Sequence, residues 1–350
     1  MTASPAFRRA AFAATVLALC VVMLGAYVRL SDAGLGCPDW PGCYGHIGVP
    51  DHPEEVAAAN AAFPERPVET GKGWKEMIHR YLAGVLGLLI LGLAIASGVA
   101  RKRGGRLEKL PLVLLTVVVF QAILGMWTVT WQLKPVIVMA HLLGGLATLS
   151  LLWWLTLRRL PMAAHWRLPS VAGLRPALAV AMVLLIGQIA LGGWTSANYA
   201  ALACNEFPTC SQGQWIPPAD FGEGFVLWRG LGQNYEFGVL DNPARVAIHL
   251  AHRFGALAVA VFLLGLTVAL WRLPGGAATR GAAVLSAALV LQVLLGIANV
   301  VFNLPLGVAV AHNGGAAILL LTLVTLNYLA GEQRLARTAG PVRNEGRRHV

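Results

Sequence analysis

The sequence predicts an all-α integral membrane protein: eight transmembrane helices, arranged as two tandem four-helix bundles related by pseudo-twofold symmetry. Three observations carry this expectation. Hydrophobic residues make up 57% of the 350 positions and charged residues only 12%, with a mean hydropathy of +0.65, which excludes an ordinary soluble domain. Apolar runs of about 20 residues, long enough to cross a bilayer, occur eight times. The motifs of the first half also return in the same order in the second half.

The spans run roughly 10–30, 77–100, 110–131, 136–157, 174–196, 245–270, 281–302 and 306–329, each near the length a bilayer requires. The first follows Arg8-Arg9 and has the look of a signal peptide. It is long for an apolar signal core, lacks a clear small-residue cleavage site and has a counterpart in the repeat, so it reads as a retained helix. Eight spans leave no room for a separate soluble domain. The division is therefore into an N-terminal half, 1–160, and a C-terminal half, 161–350.

With eight spans both termini lie on one side. That side carries Arg8, Arg9, the 101–109 segment RKRGGRLEK, Arg158, Arg159, Arg167, Arg175, Arg272, Arg280 and five arginines after 330. These are eighteen basic residues against three acidic ones; the opposite side has nine basic and thirteen acidic. The positive-inside rule then predicts cytoplasmic termini in a cell inner (plasma) membrane, with loops 31–76 and 197–244 outside. The net charge of +11 is a topology signal and not a nucleic-acid footprint.

The repeat is specific. At an offset of 167, Leu35, Cys37, Asp39, Trp40, Pro41 and Cys43 meet Leu202, Cys204, Glu206, Phe207, Pro208 and Cys210. His79-Arg80 answers His252-Arg253. At an offset of 171, Gln121, Gly125, His141 and Gly144 answer Gln292, Gly296, His312 and Gly315. Four spans return the chain to its starting side, so the halves share one orientation about an axis along the membrane normal. Gly84/Gly87 and Gly144/Gly145 suit close helix packing in lipid or close approach to a ligand.

Cys37, Cys43, Cys204 and Cys210 lie in the external loops. The spacing is not that of a zinc site and no histidine lies within either motif, which favours a local disulfide in each loop. Each would stabilise by about 2–3 kcal/mol, clamping a loop over a site or sensing redox state. Cys20, inside the first span, is expected to be a small buried apolar residue.

Four histidines, His79, His141, His252 and His312, lie within about 12 Å of the external ends of their spans, at 1.5 Å per residue. They sit on helices two and four of each half. Two histidines on facing helices of a four-helix unit supply two axial ligands to one haem iron. Copper or di-iron sites would call for cysteine, methionine or carboxylates that the spans barely offer. Two haem pockets are the reading these residues favour. Hydrogen-bonded packing is the ordinary alternative for any single one of them.

Arg80 and Arg253 could pair with haem propionates or reach toward headgroups, and Arg29 is a further candidate. His249, one turn before His252, has no histidine counterpart, and is either a group supporting His252 or an interfacial polar residue. His46, His52, His165 and His349 fall in loops or tails. Glu76, three residues before His79, breaks the symmetry: the position three before His252 is His249. A carboxylate there could relay protons, stabilise developing positive charge, or merely favour a helix N-terminus. The two pockets thus look built alike and equipped differently, one for a permanent cofactor and one for a substrate. A dihaem electron-transfer cytochrome or a haem carrier would also use four histidines.

GAYVRLSDAGLGCPDWPGC (25–43), EMIHR (76–80), AHLLGG around His141, HR at 252–253 and AHNGG around His312 resemble the haem A synthase family of cytochrome oxidase assembly. The likeness covers nearly the whole chain. It implies an eight-helix duplicated enzyme that oxidises the C8 methyl of haem O to a formyl group, by two hydroxylations and loss of water. It further implies haem b in the back half on His252 and His312 with Arg253. Haem O as substrate would lie in the front half on His79 and His141 with Arg80, with Glu76 catalytic. Haem O synthase and the oxidase assembly machinery are the implied partners, together with an electron donor that the sequence does not name. A homo-oligomer is compatible with this reading. The segment 221–245 and His249 have no assigned part in it.

Overall fold

The computed structural model describes residues 5–104, 107–160 and 171–338. Arg106, Arg167, His165, His349 and the arginines after residue 338, which the charge and histidine readings include, lie outside them. Among the described residues ten α-helices form and there is no β-strand. Eight are long and apolar enough to span a membrane: α1 (Pro5–Leu30), α3 (Thr70–Lys102), α4 (Leu110–Thr130), α5 (Pro135–Leu157), α6 (Arg175–Ala197), α8 (Asn242–Trp271), α9 (Gly276–Val301) and α10 (Leu306–Thr338). Two shorter helices, α2 (Pro53–Ala62) and α7 (Phe221–Gly224), lie in the two large loops.

Local chemistry sets several helix starts. Proline occupies the first turn of α4, α5, α6 and α8, where its missing N–H costs nothing. Asp241 caps α8 by accepting a hydrogen bond from the Ala244 amide at 3.1 Å. One boundary differs from expectation in a way that matters. Helix α3 starts at Thr70 and not near 77, so Glu76 lies two turns inside the helix and only 5% exposed. It is not a terminal acid.

Helices α1, α3, α4 and α5 pack in a ring, as do α6, α8, α9 and α10. The rings meet where α1 touches α10, α5 touches α6, and α5 touches α10. An exchange of α1 with α6 and α5 with α10 maps these contacts onto themselves, consistent with a twofold relation between halves. Backbone conformation repeats as well. Asp32 and Tyr199 both adopt positive φ (49° and 53°), at an offset of 167. Gln132-Leu133 and Asn303-Leu304 do so at an offset of 171, in the turns that join α4 to α5 and α9 to α10. Non-glycine residues rarely adopt this conformation, so its recurrence at paired positions supports the duplication.

The dense core lies toward the chain termini. Ala11, Ala14 and Ala18 of α1 pack with Leu149, Leu152 and Leu155 of α5, Leu178 of α6, Leu263 of α8 and Leu323 of α10. Because lipid is as apolar as leucine, close packing and interhelical hydrogen bonds hold such helices together. Thr15 and Thr156 hydrogen-bond at 2.9 Å within the front ring, and Trp153 donates to Thr325 across the halves at 2.8 Å. Leu88, Val183, Leu257 and Val261 point outward, as a lipid-facing surface requires. Cys20 is also exposed and not buried, because its position on α1 turns away from both rings. Gly84 and Gly87 have no neighbour against which a Cβ would press, so the expected close packing there is absent within the chain. It is present at Gly144 and Gly145, against Gln121.

Candidate functional site: four seated imidazoles under two latched loops

Opposite the leucine core, each ring holds its two histidines on non-adjacent helices. His79 on α3 and His141 on α5 face across the front ring; His252 on α8 and His312 on α10 face across the back ring. The members of each pair are close enough to interact electrostatically. Every imidazole rests its Cε1 on a glycine of the helix beside it. A Cβ built on Gly25 would lie 3.0 Å from His79, one on Gly125 3.2 Å from His141, one on Gly192 3.2 Å from His252, and one on Gly296 3.1 Å from His312. Each ring is half-buried, and His79, His141 and His312 each keep a buried Nδ1 with no hydrogen-bond partner. A buried unpaired nitrogen costs about 1–3 kcal/mol. Three of them, at matching positions in two rings, fit a metal-bound prosthetic group better than they fit ordinary packing. Among the described residues no cluster of three or more His, Cys, Asp or Glu forms.

Above each ring lies a loop closed by a disulfide, Cys37–Cys43 in front and Cys204–Cys210 behind. Within each loop an acidic side chain gathers turn amides. Asp39 accepts from the Tyr44 and Gly45 N–H groups, both at 2.7 Å, and Glu206 from those of Gln212 and Gly213, at 3.0 and 2.9 Å. The Gly213 amide and then the Thr209 hydroxyl hold the Glu206 carboxyl below the usual glutamate range.

The two arginines latch these loops. Arg80 donates to the carbonyls of Asp39 (3.0 Å) and Gly42 (2.5 Å) and pairs with Glu76 at 2.5 Å, while Glu76 accepts from the Cys37 amide at 2.9 Å. Arg253 donates to the carbonyls of Thr209 (2.8 Å), Cys204 (3.0 Å) and Glu206 (2.7 Å), and through Nε to His249 at 3.0 Å. Since His249 Nε2 accepts that bond, its Nδ1 carries the proton and donates to the Ala200 carbonyl at 3.0 Å. The Cys204 amide lies 3.3 Å from the same ring. Glu76 and His249 are thus structural equivalents: each sits between an arginine and the first cysteine of its loop. Both guanidinium groups are aimed at loop carbonyls.

Arg29 ties the halves together. It donates to the Tyr199 hydroxyl (2.9 Å) and the Ser196 carbonyl (2.8 Å) and lies 4.3 Å over the Tyr199 ring. The 221–245 segment, unassigned in the sequence, crosses from the back half onto the front. Lys134, 1% exposed at the α4–α5 turn, donates to the Arg229 carbonyl at 2.5 Å and sits 3.4 Å over the Trp228 ring. Burial pushes its ammonium below the usual lysine range. Arg66 and Glu236 form a 2.8 Å ion pair between the two large loops. Sequence reasoning missed Lys134, Gln188 and the glycine seats. The glycines carried a signal, since each lies at a repeat offset from another seat; Lys134 carried none. His46 and His52 are exposed.

Comparison with known proteins agrees with this architecture. A family model described as cytochrome oxidase assembly protein matches residues 8–324. The haem A synthase of Shewanella oneidensis is 51% identical over 314 residues, which cover 89% of this chain and 93% of that one. The haem A synthase of Granulibacter bethesdensis is 29% identical, covering 94% of this chain and 89% of its own, and that of a Caulobacter species is 29% identical, covering 91% and 94%. A match over nearly all eight spans, with half the residues identical to one full-length relative, places this chain in the cytochrome oxidase assembly protein family, among the haem A synthases.

Proposed function

We propose that the protein oxidises the C8 methyl group of haem O to a formyl group, giving haem A for a terminal oxidase. The observation that carries this beyond family membership is the pairing of two like-built imidazole sites with unlike latches. The front ring receives haem O between His79 and His141. In the back ring His252 and His312 would hold haem b. Each hydroxylation takes dioxygen as the oxidant, with one oxygen atom entering the substrate and the other leaving as water, and haem b bound there would relay the two electrons this requires from a donor in or beside the membrane.

The chain's own residues perform the positioning. The glycine seats fix where each imidazole stands, and the arginine-held loops close the outer end of each ring against water. Arg80 and Arg253 present their positive charge at the rims, where haem propionates would lie, while holding the loops. Glu76 places a carboxylate one turn from His79, where it stabilises positive charge developing near the C8 substituent. The orientation follows from charge: cytoplasmic termini, with both haem sites toward the external face of the inner membrane. A dihaem cytochrome or a haem carrier would bind haem and leave it unchanged.

The test is expression of the chain with a supply of haem O, followed by chromatography and mass analysis of the extracted haems. Haem A or its hydroxymethyl precursor is expected. Haem recovered only in its original form would remove the synthase reading and leave the carrier or the cytochrome.

A further inference from the structure

Three of the four histidines face a glutamine on the helix that seats them, and one does not. Four residues before three of the seating glycines stands a glutamine: Gln121 before Gly125, Gln188 before Gly192, Gln292 before Gly296. Three residues after the matching histidines stands a glycine: Gly144, Gly255 and Gly315. The two features are one device. A Cβ at any of these three glycines would run into Oε1 of the facing glutamine. Gln121 donates to the His141 carbonyl at 2.7 Å. Gln188 donates to the His252 carbonyl and reaches the His252 ring at Nδ1, both at 2.9 Å. Gln292 lies 3.4 Å from the His312 ring. Each glutamine therefore ties the helix that seats a histidine to the helix that bears it, at the turn of the histidine itself.

At His79 both parts are missing. The residue four before Gly25 is Val21, and the residue three after His79 is Leu82. No amide can cross from α1 to α3 there, so the carbonyl of His79 receives no bond like the one Gln121 gives the His141 carbonyl. The His79 turn is held from the loop side, by the Glu76–Arg80–Cys37 latch, the Arg80 bonds to loop carbonyls and the Tyr81 hydroxyl on the Ile47 carbonyl, with no glutamine tying it to the helix that seats it. His252 has both a latch and a brace.

We propose that His79 is the releasable ligand of the front ring, the side on which the iron of a bound haem opens to an exogenous ligand. A haem held by two fixed imidazoles has no position for a third ligand, so a ring that handles a reacting haem needs one imidazole able to withdraw. The duplicated template has been relaxed at one of its four corners, in the half assigned to the substrate. The inference rests on the two-ring reading above, and it assigns His141 the role of the fixed ligand.

Carbon monoxide is the probe. The reduced holoprotein is loaded with haem A in the front ring, where the formyl group moves its absorption away from that of haem b. It is then titrated with carbon monoxide while both bands are followed. In the wild type the front haem takes up the gas at concentrations that leave the back haem unchanged. Val21→Gln combined with Leu82→Gly installs the brace and raises the half-saturating concentration of the front haem about tenfold, the factor one net hydrogen bond confers. The reciprocal pair, Gln188→Val with Gly255→Leu, makes the back haem accept carbon monoxide. Equal uptake by both haems in the wild type overturns the proposal, as does a loaded Val21→Gln/Leu82→Gly protein with wild-type half-saturation. If that variant does not accumulate, the reciprocal pair decides, and a back haem there still closed to the gas counts against the brace. A front ring that binds no haem, or a His79→Ala variant whose haem spectrum matches the wild type, refutes the two-ring reading itself.

Discussion

The front and back halves use one plan to hold a cysteine loop over a ring of four helices, yet the group at the centre of each latch differs in kind. In front it is a buried carboxylate paired with a guanidinium; behind it is a neutral imidazole that accepts one hydrogen bond and donates another. A buried ion pair loses several kcal/mol when one partner is removed, because the other charge is then stranded. A neutral hydrogen-bonded group loses less. The back half is thus built to stay as it is. The front half keeps a charged carboxylate beside its histidine and does without the glutamine brace. That difference is what a permanent cofactor site and a site for a reacting substrate would be expected to show.

The largest effect should come from breaking the front latch. Glu76→Ala strands the Arg80 guanidinium and should destabilise the external end of the front ring by roughly 3–5 kcal/mol, the cost of halving a buried pair. Thermal unfolding and protease sensitivity of the 31–69 loop would measure it. The corresponding His249→Ala change should cost only about 1–3 kcal/mol, since no charge is paired there. Equal losses would erase the distinction between the latches.

Glu76→Gln sharpens the comparison chemically. Glutamine keeps an acceptor for the Cys37 amide and loses the charge. The variant should retain bound haem and stall before the aldehyde, which extraction and mass analysis would reveal as haem O or its hydroxymethyl form. Wild-type output of haem A from it would mean that the carboxylate only holds the loop. A smaller effect is expected at Lys134. Lys134→Met keeps the apolar stem and removes the donor to the Arg229 and Gly230 carbonyls. Proteolysis should then speed up in the 226–235 segment, with the helices unaffected.

The smallest effect is set by pH. The Glu206 carboxyl is held below its ordinary range by turn amides, so it contributes loop stability above the unfolded-state value of 4.5. That contribution should fade as pH falls through the depressed folded value. The protection of the Gln212 and Gly213 amides against hydrogen exchange, relative to the intrinsic rate at each pH, should fall there, and Glu206→Gln should abolish that pH dependence.

Much of this architecture was legible in the sequence because a bilayer leaves few choices. Apolar length gave the eight spans, and the doubled motifs gave two equivalent rings with histidines at matching depth. The residues that organise the rings were harder to read. Gly25 and Gly192 look like ordinary small residues until an imidazole is seen lying on them. Arg80 and Arg253 read as candidates for headgroups or propionates, because nothing in a string of letters shows a loop folding back to offer its carbonyls. The 221–245 segment has no repeat partner, and its docking depends on a lysine whose burial arises only when the two halves meet.

The decisive question is whether the two rings hold different haems. It is tested most directly by identifying the haems retained in two purified variants, His141→Ala and His312→Ala. His141→Ala should keep haem b and lose haem O and haem A, while His312→Ala should lose haem b and still take up haem O. Loss of the same haem from both variants would contradict this expectation.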